Sequence, residues 1–269
     1  MSKPSRILFL LWASTLGLAA PVLADGPPPT GAWDFMRKQL YGERDIGIPG
    51  DAFMKIEVPE STPDPAATSV NIKLGPEAQG RIKSLRLIID NNPAPMVATI
   101  DFPAGSPING IETRVRVDRF TSVRAVAETT DGGLEMRSQW VNAAGGCSAP
   151  SSAAAGGTLG EMRFRPSADD KALQVSIRHP NHSGFQIDPV SGDPVPPHYI
   201  THVRLKAGKS VLLEADLGIS ISENPLLRIS SSQPLAGPLT VEAVDSKQAR
   251  FSAVWKGPGG DVATGAGAP

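Results

Sequence analysis

The 269-residue chain has a single cysteine, Cys147, so no disulfide can form within it. It has almost no net charge, −1 with neutral histidines, which leaves no basic field to hold nucleic acid or an anionic membrane. After the N-terminus no apolar run approaches the length of a membrane span. It also lacks a Gly-x-Ser-x-Gly elbow, a phosphate-cradling loop and a dinucleotide fingerprint, so none of the common sequence signs of an autonomous enzyme is present.

Glycine (27) and proline (26) are plentiful, which favours many turns and short strands over long helices. Lys3 and Arg6 precede an uncharged apolar stretch from Ile7 to Ala20; Pro21 breaks it, and Ala24 offers a small residue for cleavage before Asp25. This pattern predicts a signal peptide over residues 1–24 and export to a bacterial periplasm, with no membrane segment after cleavage. Trp33, Met36 and Leu40 recur at helical spacing between Thr30 and Gly42, which predicts one short helix that covers the end of a sheet.

From Phe53 onward the apolar period becomes two. Val70, Ile72 and Leu74 alternate with polar residues, as do Leu85, Leu87 and Ile89; residues 113–117, 123–128 and 134–141 follow. A second series runs from Met162 through Leu173 to Arg178, Tyr199 to Lys206, Ser210 to Asp216, Leu226 to Ser231, Leu239 to Val244 and Arg250 to Trp255. The expected fold is all-β: two immunoglobulin-like β-sandwiches, residues 31–142 and 161–257, before a flexible tail at 258–269. Between them, residues 143–160 carry no bulky apolar side chain until Leu159, and read as a flexible Gly/Ala/Ser linker.

Cys147 sits in that linker after Gly145 and Gly146, six residues beyond Val141. At ~3.3–3.6 Å per residue such an arm reaches about 20 Å. With no His, Lys or Arg beside it in sequence, the thiol is expected to be exposed and to ionise near ~8.5, like a free thiol, and to form disulfide dimers in air. The residues alone allow either a carrier arm or an inert thiol in a linker.

Asp90-Asn91-Asn92-Pro93-Ala94-Pro95, Thr113 to Val117, Val123 to Glu128 and Gly145-Gly146-Cys147 together resemble SoxY, the sulfur-carrying subunit of periplasmic thiosulfate oxidation. His179 to Gly184, Pro197-His198-Tyr199-Ile200 and Asn224-Pro225-Leu226 resemble its partner SoxZ. The fused order is similar to quinoprotein-dehydrogenase-associated SoxYZ-like carriers. The resemblance implies a covalent carrier holding a sulfur-linked fragment on Cys147 for partner redox enzymes. It implies no catalysis of its own and no bound cofactor, and nothing here recognisably binds pyrroloquinoline quinone. The other reading is a non-covalent docking module of a quinoprotein dehydrogenase system. Ser148-Ala149-Pro150 stands where the family carries glycines, and a mid-chain cysteine must enter a partner as a loop.

All four histidines lie between His179 and His202. On a strand, His198 and His202 stand roughly 13 Å apart, too far to share an ion. His179 and His182 could pair but lack a third ligand in sequence. No metal site is expected. Asp188, Asp193 and Asp216 are assigned to turns, and Trp140 and Trp255 to strand ends in the core.

Overall fold

The computed structural model describes residues 31–150, 157–258 and 262–263. The signal-peptide reading of residues 1–24, and Thr30 as a helix cap, lie outside them. The helix is α1 (Gly31–Tyr41). It ends where Gly42 adopts a left-handed φ of 61° and donates its N–H to the Lys38 carbonyl at 3.0 Å.

The first half contributes β1 (Met54–Glu57), β2 (Thr68–Leu74), β3 (Ile82–Ile89), β4 (Met96–Asp101), β5 (Ile108–Val115), β6 (Thr121–Thr129) and β7 (Leu134–Val141). The second contributes β8 (Met162–Pro166), β9 (Ala172–Ile177), β10 (Ile200–Ala207), β11 (Ser210–Leu217), β12 (Leu226–Ser231), β13 (Leu239–Asp245), β14 (Arg250–Trp255) and β15 (Val262–Ala263). The two-residue period was thus a sound guide to most strands. It missed β1, most of β5, β4, whose Met96-Val97-Ala98 start is apolar throughout, and β15, which pairs with Val254 and Trp255 inside the expected loose tail.

The strands form two sheets, in the orders β1-β2-β5-β12-β9-β8 and β15-β14-β13-β10-β11-β4-β3-β6-β7. Both sheets cross from one half to the other. β5 pairs with β12 from Ile108↔Ser231 to Thr113↔Leu227, and β4 pairs with β11 from Ala98↔Leu217 to Asp101↔Glu214, all antiparallel. Two sandwiches therefore join edge to edge, and each covers strand edges that the other would leave open. One apolar cluster runs through both, from Val70 and Leu85 to Leu205 and Trp255.

The helix covers the outer face of the larger sheet. Trp33 and Tyr41 pack on Ile88, Val126 and Leu134. β6 is consequently buried on both faces: Val123, Ala125 and Ala127 point to the main core, while Arg124 lies beneath Trp33, 4.5 Å from its ring centre. Arg124 is held by a forked ion pair, Nε to Asp90 Oδ1 at 2.8 Å and Nη2 to Oδ2 at 2.8 Å.

Candidate functional site

The segment after β7 is not free. Gly145 donates its N–H to the Asp118 carbonyl and Gly146 to the Val117 carbonyl, each at 2.9 Å. Gly145 has a φ of 81°, which favours glycine. A Cβ on Gly146 would lie 2.2 Å from the Pro65 carbonyl oxygen and 2.6 Å from that of Val117. The two glycines therefore let the backbone dock closely. This corrects the reading of Gly145 and Gly146 as a flexible arm and of residues 143–150 as free linker; residues 151–156 lie outside the described residues. The physical reason is that a missing side chain permits close approach as readily as freedom, and the sequence did not show the carbonyls waiting for it.

Cys147 is 3% exposed, which overturns the expected accessible thiol. Burial pushes its pKa up to about 12; Asp118 adds to the rise and Arg116 opposes it. At neutral pH the seated thiol is protonated and a poor nucleophile. The burial also removes the ground for ready dimerisation in air while the arm is seated. The cation beside the thiol is Arg116.

Both halves build the seat. From the first, Asn92 is buried and holds the strand end beyond β5, donating to the Arg116 carbonyl at 2.7 Å and accepting from the Asp118 N–H at 2.9 Å. Val117 donates its N–H to the Pro65 carbonyl, and Arg116 to that of Ser220. From the second half, the Ser183 hydroxyl donates to the Cys147 carbonyl at 2.6 Å. Arg116, 1% exposed, links the two, with Nη1 on the Gly146 carbonyl at 3.2 Å and Nη2 on the Asn181 carbonyl at 3.4 Å. Asn181 takes the left-handed φ of 44° and bonds the Ile200 N–H and the Ile221 carbonyl. The motifs around Asn92, Arg116, His179–Gly184 and Ile200 thus converge on the cysteine.

The same loop brings together a group that sequence spacing missed. His179, His198 and Asp245 place ligand atoms within 4.8 Å of one another. β13 supplies Asp245 from far along the chain, so no local spacing could reveal it. Yet the atoms are committed elsewhere. His179 Nδ1 accepts the Asn181 N–H at 3.1 Å, which puts the proton of the neutral ring on Nε2, facing Asp245 Oδ2 at 3.5 Å. His198 Nε2 lies 2.8 Å from the same oxygen, while Asp245 Oδ1 accepts from the Lys247 and Ala249 N–H groups. His179 Nε2 makes no hydrogen bond at that distance, but both ring nitrogens that face the carboxylate carry protons where a metal would need lone pairs. The group is a polar clamp behind the cysteine seat. Burial, then the neighbouring His198, lowers His179 to about 4, and burial lowers His182 as well. His202 is separate and bonds Asp216.

Asp188 accepts the Val190 and Ser191 N–H groups in a turn. Trp255 is buried, whereas Trp140 is only partly covered and bonds Asn142.

Residues 37–147 match the family described as Sulfur oxidation protein SoxY, and residues 163–256 the family described as Sulphur oxidation protein SoxZ. No curated protein matches the chain. Among solved structures, the sulfur carrier protein SoxY from Chlorobium limicola f thiosulfatophilum aligns at 20% identity and a TM-score of 0.33, over 41% of this chain and 94% of that one. A superoxide reductase (neelaredoxin) from Ignicoccus hospitalis aligns at 19% identity and a TM-score of 0.30, over 36% of this chain and 94% of its own. The two family matches together span most of the sequence; the first ends at Cys147 and the second begins at residue 163. The chain thus carries a SoxY-family domain and a SoxZ-family domain in tandem on a single polypeptide.

Proposed function

We propose that this protein is a covalent carrier that works in the bacterial periplasm and holds a sulfur-linked fragment on Cys147 for partner redox enzymes. The observation that carries the reading is the position of the cysteine. The only cysteine of the chain closes the SoxY-family match at residue 147, on a glycine pair seated against the SoxZ half. The protein performs no chemistry of its own; it presents the thiol and shelters it between visits. A pKa of about 12 keeps the seated thiol unreactive. Loading and unloading follow release of the arm, which breaks the bonds of Gly145, Gly146, Arg116 and Ser183. At about 0.5–1.5 kcal/mol each, a docking partner can offset their loss. The export pattern in residues 1–24 supports the periplasmic location.

Intact mass of protein taken from actively metabolising cells tests the reading. A mass increment on the peptide containing Cys147, and loss of the dependent oxidation in Cys147→Ser, are expected. A uniformly unmodified thiol with a silent Cys147→Ser variant would favour the second reading, a non-covalent accessory of a quinoprotein dehydrogenase. The observation favouring that reading is the burial of the thiol. It requires that Cys147→Ala capture the same dehydrogenase or cytochrome as the wild type.

A further inference from the structure

The buried charged side chains are Asp90, Arg116, Arg124 and Asp245. Arg124 is neutralised by Asp90, and Asp245 is met by His198 and His179. Arg116 alone has no opposite charge within ion-pair distance among the described residues; it bonds carbonyl oxygens only, and its Nε has no hydrogen-bond partner. A desolvated guanidinium without a counter-ion is costly, and such a charge persists where something compensates it. Glu223 and Asp64 act on it only from beyond ion-pair distance.

The place of this charge is informative. Its Nη1 bonds the carbonyl of the peptide that joins Gly146 to Cys147, so the guanidinium stands over the arm at the cysteine itself. A second donor nearby is also unspent. Gln186 is buried; its Oε1 accepts the Ser183 N–H, which fixes the amide orientation and leaves Nε2 without a partner. Ser183 in turn holds the Cys147 carbonyl. Two buried side chains with unpartnered N–H groups therefore flank the seat, one of them cationic.

We propose that Arg116, assisted by Gln186, is the binding site for a negatively charged group attached to Cys147 Sγ, so that the arm seats more firmly when loaded with an anion than when it bears the bare thiol or a neutral group. The inference rests on the carrier reading and adds to it the charge of the cargo and the residue that recognises it. A guanidinium suits a sulfur- or carbon-centred oxyanion, which accepts several N–H bonds at once. A neutral adduct of the same size would gain nothing from the charge. The arm then reports its own load: an anionic cargo is withdrawn and protected, and an emptied arm is released more readily for reloading.

Two alkylating reagents of nearly equal size separate charge from bulk. Iodoacetate transfers a carboxymethyl group to the thiolate with loss of iodide and adds an anion; iodoacetamide does the same and adds a neutral amide. Both are applied to the full chain with the arm opened in mild denaturant, which is then removed. The carboxymethyl form should melt at least about 3 °C above the carbamidomethyl form. The gap should vanish in Arg116→Gln and survive in Arg116→Lys. With ¹³C-labelled iodoacetate, the wild-type adduct should titrate at least about one unit below the same adduct on the urea-unfolded chain. That readout needs no variant, and a structural role for Arg116 would not move it, since burial alone raises a carboxyl. A carboxymethyl form no more stable than the amide, or an adduct carboxyl raised on folding, overturns the proposal. Neither measurement depends on the natural cargo, so the proposal can fail while the mass increment on native protein still upholds the carrier reading.

Discussion

Two buried arginines, eight residues apart in sequence, occupy opposite kinds of surroundings. Arg124 lies under Trp33 with both carboxylate oxygens of Asp90 in reach, and its charge is fully used in joining the helix to the sheet. Arg116 lies at the junction of the two halves with carbonyl oxygens for company and an unpartnered Nε. The first is a finished structural joint. The second is a charge held in readiness beside the one thiol in the chain. Their difference shows why burial alone does not identify a functional residue; the informative quantity is burial without compensation.

The largest effect should come from breaking the finished joint. Asp90→Ala strands the Arg124 guanidinium in the protein, and should lower the unfolding free energy by about 3–5 kcal/mol. Arg116→Met strands no opposite charge and removes an uncompensated cation, so it should cost less than about 2 kcal/mol. Urea melts of the two variants test the contrast. Equal losses would mean that Arg116 is as structural as Arg124.

Next in size is the arm itself. Gly146→Ala places a Cβ against the Pro65 and Val117 carbonyl oxygens and should unseat Cys147 while the sheets stay folded. The thiol would then titrate near ~8.5–9 instead of at about 12, giving roughly a thousandfold more thiolate at neutral pH. Iodoacetamide kinetics under native conditions, beside circular dichroism to confirm the fold, measure this. An unchanged rate would mean that the thiol is shielded by something other than its backbone seat.

The contrast between the two arginines also marks what could be read in the sequence. Most strands between Val70 and Val141 and between Met162 and Trp255 were legible because one face is more buried than the other, which leaves a period of two; β4, apolar from Met96 to Ala98, was not. The short helix was legible from Trp33 and Met36. The cysteine was found because it stands alone. The seat was hidden, because it forms from contacts between distant segments: Arg116 meets Gly146 across 30 positions and Asn181 across 65. The glycines were seen, but glycine serves mobility and close packing alike, and only the positions of the Pro65 and Val117 carbonyls decide between them. Likewise Asp245 could not be joined to His179 and His198 by any spacing rule. Edge-to-edge fusion of the sheets was equally invisible, since an edge strand and a paired strand share the same alternation.

Acid should act on the Arg116 side of the comparison. His179 titrates at about 4 in the folded protein, below the 6.5 of a free histidine, so the unfolded chain takes up its proton first as pH falls. The stabilisation from the neutral ring is intact above about pH 6.5, declines between 6.5 and 4, and is exhausted below; a shift of this size corresponds to about 3 kcal/mol. Asp245, whose carboxyl is pushed up by burial but on balance held low by hydrogen bonds from His198 and the Ala249 and Lys247 N–H groups, adds a further loss below about pH 4. Calorimetry from pH 7.5 to 4.5 should show the melting temperature falling, with a flatter profile in His179→Gln. Hydrogen exchange should find the Asn181 amide, whose acceptor is His179 Nδ1, loosening before the amides of β6. A profile that is flat in the wild type would remove the polar clamp from the account.

The smallest effect asks whether the SoxZ half holds the arm or merely covers it. Ser183→Ala removes the hydroxyl that donates to the Cys147 carbonyl at 2.6 Å and leaves the Gly145 and Gly146 bonds to the SoxY half intact. One neutral hydrogen bond contributes about 1 kcal/mol net, which corresponds to roughly a fivefold change in an opening equilibrium. Because alkylation proceeds through the opened arm, its rate in the native protein should rise by that factor while global stability changes little. Ser222→Ala is the matched control: its hydroxyl also donates to a carbonyl across the halves, that of Ala66 at 2.6 Å, but does not touch the cysteine segment. It should leave the alkylation rate where it was. If both serine variants react as the wild type does, and Gly146→Ala still exposes the thiol, then the arm is held from the SoxY side alone. The SoxZ half would in that case act only through the Asn181 carbonyl that positions Arg116, the SoxY-half residue that senses the charge on the arm.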